Sequence, residues 1–146
     1  MRASESDRNS GDREVFKRLM DLKIKLLELS EGSYYLIVIA HGEIDREALK
    51  RIFNEIEKIS RPLLDCKVFI DLEEASLNVR PAAIHAIANR LKLHLKSNSI
   101  KLAVVASTFD RCGRLHLLRD LLSSRGLRVA VFDNTKTAAA WLSDGT

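Results

Sequence analysis

The chain has 146 residues and is 46% hydrophobic, which fits one domain with one core and excludes global disorder. No apolar run approaches the roughly 20 residues of a membrane span, and residues 1–11 lack the apolar stretch of a secretory signal. Cys66 and Cys112 are far apart and lack metal-ligand companions. We therefore expect a cytoplasmic protein with reduced thiols, no metal and no cofactor.

The net charge of +4 is distributed unevenly along the chain. Residues 1–75 carry 13 basic and 16 acidic side chains, whereas residues 76–146, which include Lys101, carry 11 basic and 4 acidic ones. A basic second half is suited to an acidic partner or an anionic ligand, although solvated helix faces give the same pattern. Aromatic residues do not alternate with the basic ones, so a nucleic-acid partner is not predicted.

The first elements predict a polar tail followed by a β-hairpin. Residues 1–21 are expected to be disordered or partly helical, and residues 22–146 to form the single domain. Lys23–Leu29 is mixed in period but alternates enough to be a strand, and Ser33–Ala40 is β-branched and aromatic, the strongest predicted strand of the chain. A Glu-Gly-Ser turn between them predicts antiparallel pairing.

Helices and strands alternate after the hairpin. Each helix has a predicted start: Asp45 as N-cap of the first, Pro81 as first residue of the second, Thr108 or Asp110 as N-cap of the third, and Asn134 or Thr135 as N-cap of the last. Gly126 is expected to follow the third helix, and Trp141 to pack on the sheet. The predicted strands between the helices are Lys67–Leu72, Lys101–Ser107 and Leu127–Phe132.

The order β-β-α-β-α-β-α-β-α predicts an α/β domain. Its mostly parallel central sheet has about five strands, the first one antiparallel, with helices on its faces. Neither a glycine-rich phosphate loop nor a GxSxG nucleophile motif is present. His41, His85, His94 and His116 have no metal-ligand spacing. These absences favour a protein that is not an enzyme; a trio of His41, Asp71 and Arg80 at the strand ends is the weakest alternative.

Two charged residues at predicted strand and helix ends are candidates for binding. Asp71 closes the central strand, where open α/β sheets place ligand loops, but a strand-end aspartate is more often a turn former. Arg80 precedes Pro81 at a helix N-terminus, which favours anions. Pairing of Arg80 with Glu73 or Glu74 is the alternative that we favour.

Three segments resemble the STAS domain of bacteria, specifically its SpoIIAA-like branch. They are VFIDLEEASLNV at Val68–Val79, KLAVVAS at Lys101–Ser107 and VAVFDNTKTAAAWL at Val129–Leu142. His41–Asp45 is similar to the Gly-x-Leu-Asp that ends the second strand of that family. The resemblance covers about residues 22–142.

The resemblance implies a regulatory protein-interaction module. In its regulatory members a kinase phosphorylates a serine at the start of the helix after the central strand. Aligning Asp71 with that strand end places Arg80 and Pro81 where the serine would lie, and Ser76 is four residues early. The expected binding residues lie in three loops, with a protein or a second copy as partner: His41, Asp45, Asp71, Glu73, Ser76, Arg80, Ser107 and Arg111.

The same resemblance leaves a second function open. Some members of the branch are similar to CRAL-TRIO domains, which implies a carrier of a small apolar or lipid-like ligand. The small residues Ala82, Ala83, Ala86 and Ala88 would leave room for a pocket under the helix Pro81–Lys96. Close packing of helix on sheet explains the same small residues, and it is the more ordinary explanation.

Overall fold

The computed structural model describes residues 21–30, 32–63, 65–95, 99–106, 113–124 and 126–144. The predicted tail up to residue 20, Ser107, Arg111 and the proposed caps Thr108 and Asp110 lie outside these residues. The described chain contains six strands and four helices. In chain order they are β1 Asp21–Ser30, β2 Ser33–Ile44, α1 Arg46–Ser60, β3 Asp65–Leu72, β4 Ala75–Leu77, α2 Pro81–Leu95, β5 Ser99–Ala106, α3 Arg114–Ser123, β6 Arg128–Phe132 and α4 Thr135–Ser143.

All six strands belong to one sheet in the order β1-β2-β3-β5-β6, with β4 paired to the far end of β2. The β1–β2 pairing is antiparallel, and the other pairings are parallel. One row of apolar side chains crosses the sheet in register: Ile24, Val38, Ile70, Val104 and Val131. The predicted mixed α/β fold with an antiparallel first strand is confirmed.

Helices cover both faces of the sheet, but unequally. On one face α1, α2 and α3 pack on Val38, Ile70 and Val104 and bury the larger core. On the other face α4 packs on Phe69, Ala103 and Val105 through Ala138 and Leu142. The Trp141 ring lies 5.7 Å from the Phe132 ring, measured between centroids, so the predicted packing of Trp141 on the sheet is confirmed.

Three of the four helices start where the sequence predicts. Asp45 Oδ1 accepts from Ala48 N at 2.9 Å, and Asn134 Oδ1 accepts from Thr137 N at 2.9 Å. Pro81 is the first residue of α2. The prediction for α3 is wrong, because this helix begins only at Arg114 with Gly113 as N-cap. Gly113 has φ of +65°, a conformation that side chains disfavour.

Lys101 is buried in the sheet layer, with 4% of its surface exposed. Its Nζ donates to the backbone carbonyls of Trp141 and Asp144 and lies 4.5 Å from the centroid of the Trp141 ring. The cation thus satisfies carbonyls at the C-terminus of α4, where positive charge is favoured. This lysine belongs to the interior rather than to a solvated basic face.

Candidate functional site

The C-terminal end of β2 extends beyond the strand predicted from the sequence. His41–Ile44 continues as strand, and Gly42, Glu43 and Ile44 pair in parallel with Ala75, Ser76 and Leu77 of β4. Gly42 has φ of +96°, which glycine adopts more readily than other residues. The pairing brings the segment after β3 alongside the end of β2.

Hydrogen bonds hold these two segments together. Gly42 N donates to Glu74 O at 3.1 Å, and Asn78 N donates to Ile44 O at 2.8 Å. The Asn78 side chain adds a bond from Nδ2 to Glu43 Oε2 at 2.8 Å. Residues 41–45 and 73–81 therefore form one continuous surface at the edge of the sheet, which we call the loop surface.

Apolar side chains anchor the loop surface to the core. Ile44 and Val79 are buried in the cluster under α1 and α2. The polar side chains between them point outward, and five of the predicted binding residues are exposed here: His41, Asp45, Glu73, Ser76 and Arg80. The surface therefore has a fixed backbone and accessible polar groups.

Asp71 lies at the base of the loop surface and is only partly exposed. Its Oδ1 accepts from Glu73 N at 3.0 Å, the two-residue spacing of an aspartate turn. This contact supports the turn-forming interpretation, since the carboxylate already satisfies a backbone donor of its own loop.

Arg80 is the N-cap residue of α2, because its carbonyl accepts from Ala83 N at 3.0 Å and Ile84 N at 3.1 Å. Its side chain is exposed. Within the part of the chain that the structure describes, Arg80 forms no ion pair with Glu73 or Glu74, so that predicted pairing is absent. The first turn that follows contains Pro81, Ala82 and Ala83 and hence no hydroxyl group.

The structure brings two of the three predicted loops together and leaves the third untested. Ser107 and Arg111 lie outside the described residues. Glu43 and Asn78 were missed by sequence reasoning, and they join the loops through a side-chain bond across 35 positions of sequence. No local pattern signals such a contact.

One apolar crevice lies between α1, α3 and the sheet, and another of about 10 Å³ lies between α1 and α2, where Ile87 and Leu91 line it. The walls of the first crevice include Phe53, Ile70, Val104 and Leu115. Its enclosed volume is about 10 Å³, about the minimum that holds one water molecule. Ala82 and Ala86 are exposed on α2, whereas Ala88 is fully buried, so these alanines do not line a common pocket.

The described residues hold neither a metal cluster nor a membrane-spanning helix. Over those ranges, no group of three or more His, Cys, Asp or Glu side chains is placed to hold a metal ion. None of the helices described there is long and apolar enough to cross a membrane.

Comparison with known proteins identifies the fold. No protein-family model matches the chain, and no curated protein matches it. An uncharacterised DUF3478-family protein with a SpoIIAA-like fold from Shewanella loihica PV-4 is similar over 87% of this chain and 98% of its own, at 18% identity and a TM-score of 0.55. The anti-sigma factor antagonist SpoIIAA in its unphosphorylated form matches over 85% of this chain and 100% of its own, at 13% identity and a TM-score of 0.48.

This domain is thus a mixed α/β protein with a mostly parallel sheet. More narrowly, it has a SpoIIAA-like fold, which confirms the fold that the sequence resemblance implies. At such low identity the likeness defines architecture alone.

Proposed function

We propose that this chain is a non-enzymatic, STAS-like interaction module that binds a protein partner through the loop surface. The observation that carries the proposal is the pairing of β4 with β2, which joins two predicted binding loops into one exposed surface. Loops on a rigid scaffold are where proteins most often place binding residues.

The fixed backbone of the loop surface favours binding. Three hydrogen bonds and the buried side chains of Ile44 and Val79 hold it in place. The loops therefore lose little conformational entropy when a partner binds, and preorganisation of this kind increases affinity.

The charge of the loop surface indicates the chemistry of the partner. Glu43, Asp45, Glu73 and Glu74 are exposed acidic residues, against the single basic residue Arg80. The surface is therefore negative although the whole chain is positive. A protein with a basic contact patch is the partner that this surface fits, and its association should slow as salt increases.

We further propose that binding is not switched by phosphorylation at the start of α2. Arg80, Pro81, Ala82 and Ala83 occupy that helix end, and none of them accepts a phosphate on a hydroxyl. Ser76 is exposed but lies in β4, in register with Glu43. A phosphate there would meet a carboxylate instead of helix N–H groups, which disfavours it.

A charge reversal with a matched control tests this proposal. Glu73→Arg changes the loop surface, whereas Asp65→Arg makes the same change in an exposed residue at the opposite edge of the sheet. Affinity capture from native extract with both variants and the unmodified chain should recover one protein that Glu73→Arg alone loses. Calorimetry with that purified protein should reproduce the difference; equal binding by both variants would refute the proposal.

The small volume of the crevice between α1, α3 and the sheet favours an interaction module over a ligand carrier. Its enclosed volume of about 10 Å³ is far below the roughly 300–1,000 Å³ of small-molecule pockets. A ligand of that size could enter this crevice only if α1 or α3 moved away from the sheet.

A further inference from the structure

One part of the sheet has no helix over it in the described chain. On the face that α4 covers, that helix packs against β3, β5 and β6. The remaining area belongs to β1 and β2, where Leu27, Tyr35, Ile37 and Ile39 point to the same side as Phe69. Leu27 is 40% exposed and the three β2 residues are partly exposed. We call these four residues the open sheet face.

Lysines border the open sheet face along the edge strand. Lys23 and Lys25 are exposed and lie in register with Ile39 and Ile37. An apolar patch with a charged rim is the usual form of a contact surface. Charged residues on an edge strand also oppose pairing with another strand, so the occupant is expected to lie on the face rather than beside it.

We propose that residues 13–20 of this same chain, REVFKRLM, dock on the open sheet face. Asp21 begins β1 in register with His41, and β1 runs antiparallel to β2. The preceding segment therefore joins the sheet two positions from Ile39, at the end of the open sheet face.

The sequence of this segment fits the surface. Val15, Phe16, Leu19 and Met20 recur with the spacing of one helix side, and the polar Arg13, Glu14, Lys17 and Arg18 fall elsewhere. A helix of eight residues spans about 12 Å. The row from Tyr35 to Ile39 spans four strand steps, or about 13 Å. Because Met20 is bonded directly to Asp21 of β1, the last one or two residues of the segment must connect the sheet to the layer above it. The helix before them would cover most of the apolar row.

Docking within the chain has an advantage over docking between molecules. The segment is covalently attached next to its target, so its effective concentration is high. This inference is independent of the loop surface, and either proposal can fail alone.

Photo-cross-linking in the full chain tests the contact. With p-benzoylphenylalanine in place of Phe16, irradiation should give intramolecular cross-links to peptides of β1 and β2 that carry Leu27, Tyr35, Ile37 or Ile39. The same probe in place of Ser6 is the control, and it should give no preferred product. Ile37→Asn in the probed chain should lower the yield several-fold, whereas Lys25→Asn should not.

Three results would overturn the proposal. Mixing isotopically labelled and unlabelled chains would reveal cross-links between copies, which would assign the face to a second molecule. Cross-links to other parts of the domain would place the segment elsewhere. If the probe at Phe16 gives no preferred product, residues 13–20 do not dock on the open sheet face, and a separate protein is the remaining occupant. As a second measurement, removing residues 1–20 should raise the fluorescence of an added apolar dye several-fold, and an unchanged signal also contradicts docking.

Discussion

Lys101 shows how a single buried cation can hold the end of a helix. Its Nζ donates to two carbonyls at the end of α4 and lies over the Trp141 ring. Lys101→Ala would leave these carbonyls without their charged donor, so we expect a loss of about 1.5–3 kcal/mol in the free energy of unfolding. Chemical denaturation measures this. Lys23→Ala, at an exposed position, is the control and should change stability by less than about 0.5 kcal/mol.

Cys66 makes stability depend on pH in the alkaline range. Burial of the thiol, with a smaller contribution from the charge of Asp65, raises its pKa from 9.0 to about 11. Below pH 9 the thiol is protonated in both states. Between pH 9 and 11 the unfolded chain releases this proton while the folded chain keeps it, so the free energy of unfolding falls as pH rises.

The Cys66→Ala variant isolates this effect. It loses packing and is less stable at neutral pH, but it lacks the titrating thiol. Denaturation midpoints measured from pH 8 to 11 should therefore fall less steeply for this variant than for the unmodified chain. Parallel slopes would show that the buried thiol does not contribute to the alkaline loss of stability.

At the scale of elements, Asp45 combines two roles that can be separated. It caps α1 through Oδ1 and contributes charge to the loop surface. Asp45→Ala should cost about 1 kcal/mol of stability, whereas Asp45→Asn keeps an equivalent capping oxygen and should cost little. Thermal unfolding of both variants checks the cap. If Asp45→Asn keeps the stability of the unmodified chain but binds the partner more weakly, the weaker binding is due to the lost negative charge and not to loss of the cap.

The short strand β4 should depend on the backbone conformation of Gly42. Gly42→Ala imposes a side chain at φ of +96°, which costs about 1–2 kcal/mol, and it strains the bond from Gly42 N to Glu74 O. We expect faster hydrogen exchange at residues 74–78. Gly32→Ala, at φ of +80° in the hairpin turn, is a matched control because it adds similar strain far from β4. Equal exchange at residues 74–78 in both variants would contradict the role of Gly42.

At the scale of the whole molecule, the sequence predicts the layers better than the contacts between loops. The strands β2, β3 and β5 are visible as apolar β-branched runs because they lie in the interior of the sheet. In contrast, β4 has only three residues and exists because β2 is long enough to pair with it. The burial of Lys101 also depends on where α4 ends, about 40 positions later.

In the candidate site, too, the sequence predicts the local features but not the contacts between distant segments. The turn at Asp71 and the cap at Asp45 are local, so residue types and spacing predict them. The pairing of Glu43 with Asn78 is set by the register of β2 and β4, which no local signal contains. The contribution of Ser107 and Arg111 to binding stays a prediction.

The packing of α1 and α3 on the sheet, within the part of the chain that the structure describes, makes a prediction about bound ligands. The crevice between α1, α3 and the sheet encloses about 10 Å³, and its walls are side chains such as Ile70, Val104 and Leu115. Native mass spectrometry of gently purified protein should therefore show the mass of the chain alone. Adding excess fatty acid should not change this, because opening the crevice would expose buried apolar surface at about 25 cal/mol per Å².

A variant that fills the crevice decides between the interaction module and the carrier. Val104→Phe places a larger side chain where a carried ligand would have to enter. If a lipid-sized mass co-purifies with the unmodified chain and Val104→Phe removes it, the crevice opens in solution and the carrier function replaces our proposal. If such a mass persists in Val104→Phe, the ligand lies elsewhere, and the open sheet face becomes the first place to search because its apolar side chains are partly exposed.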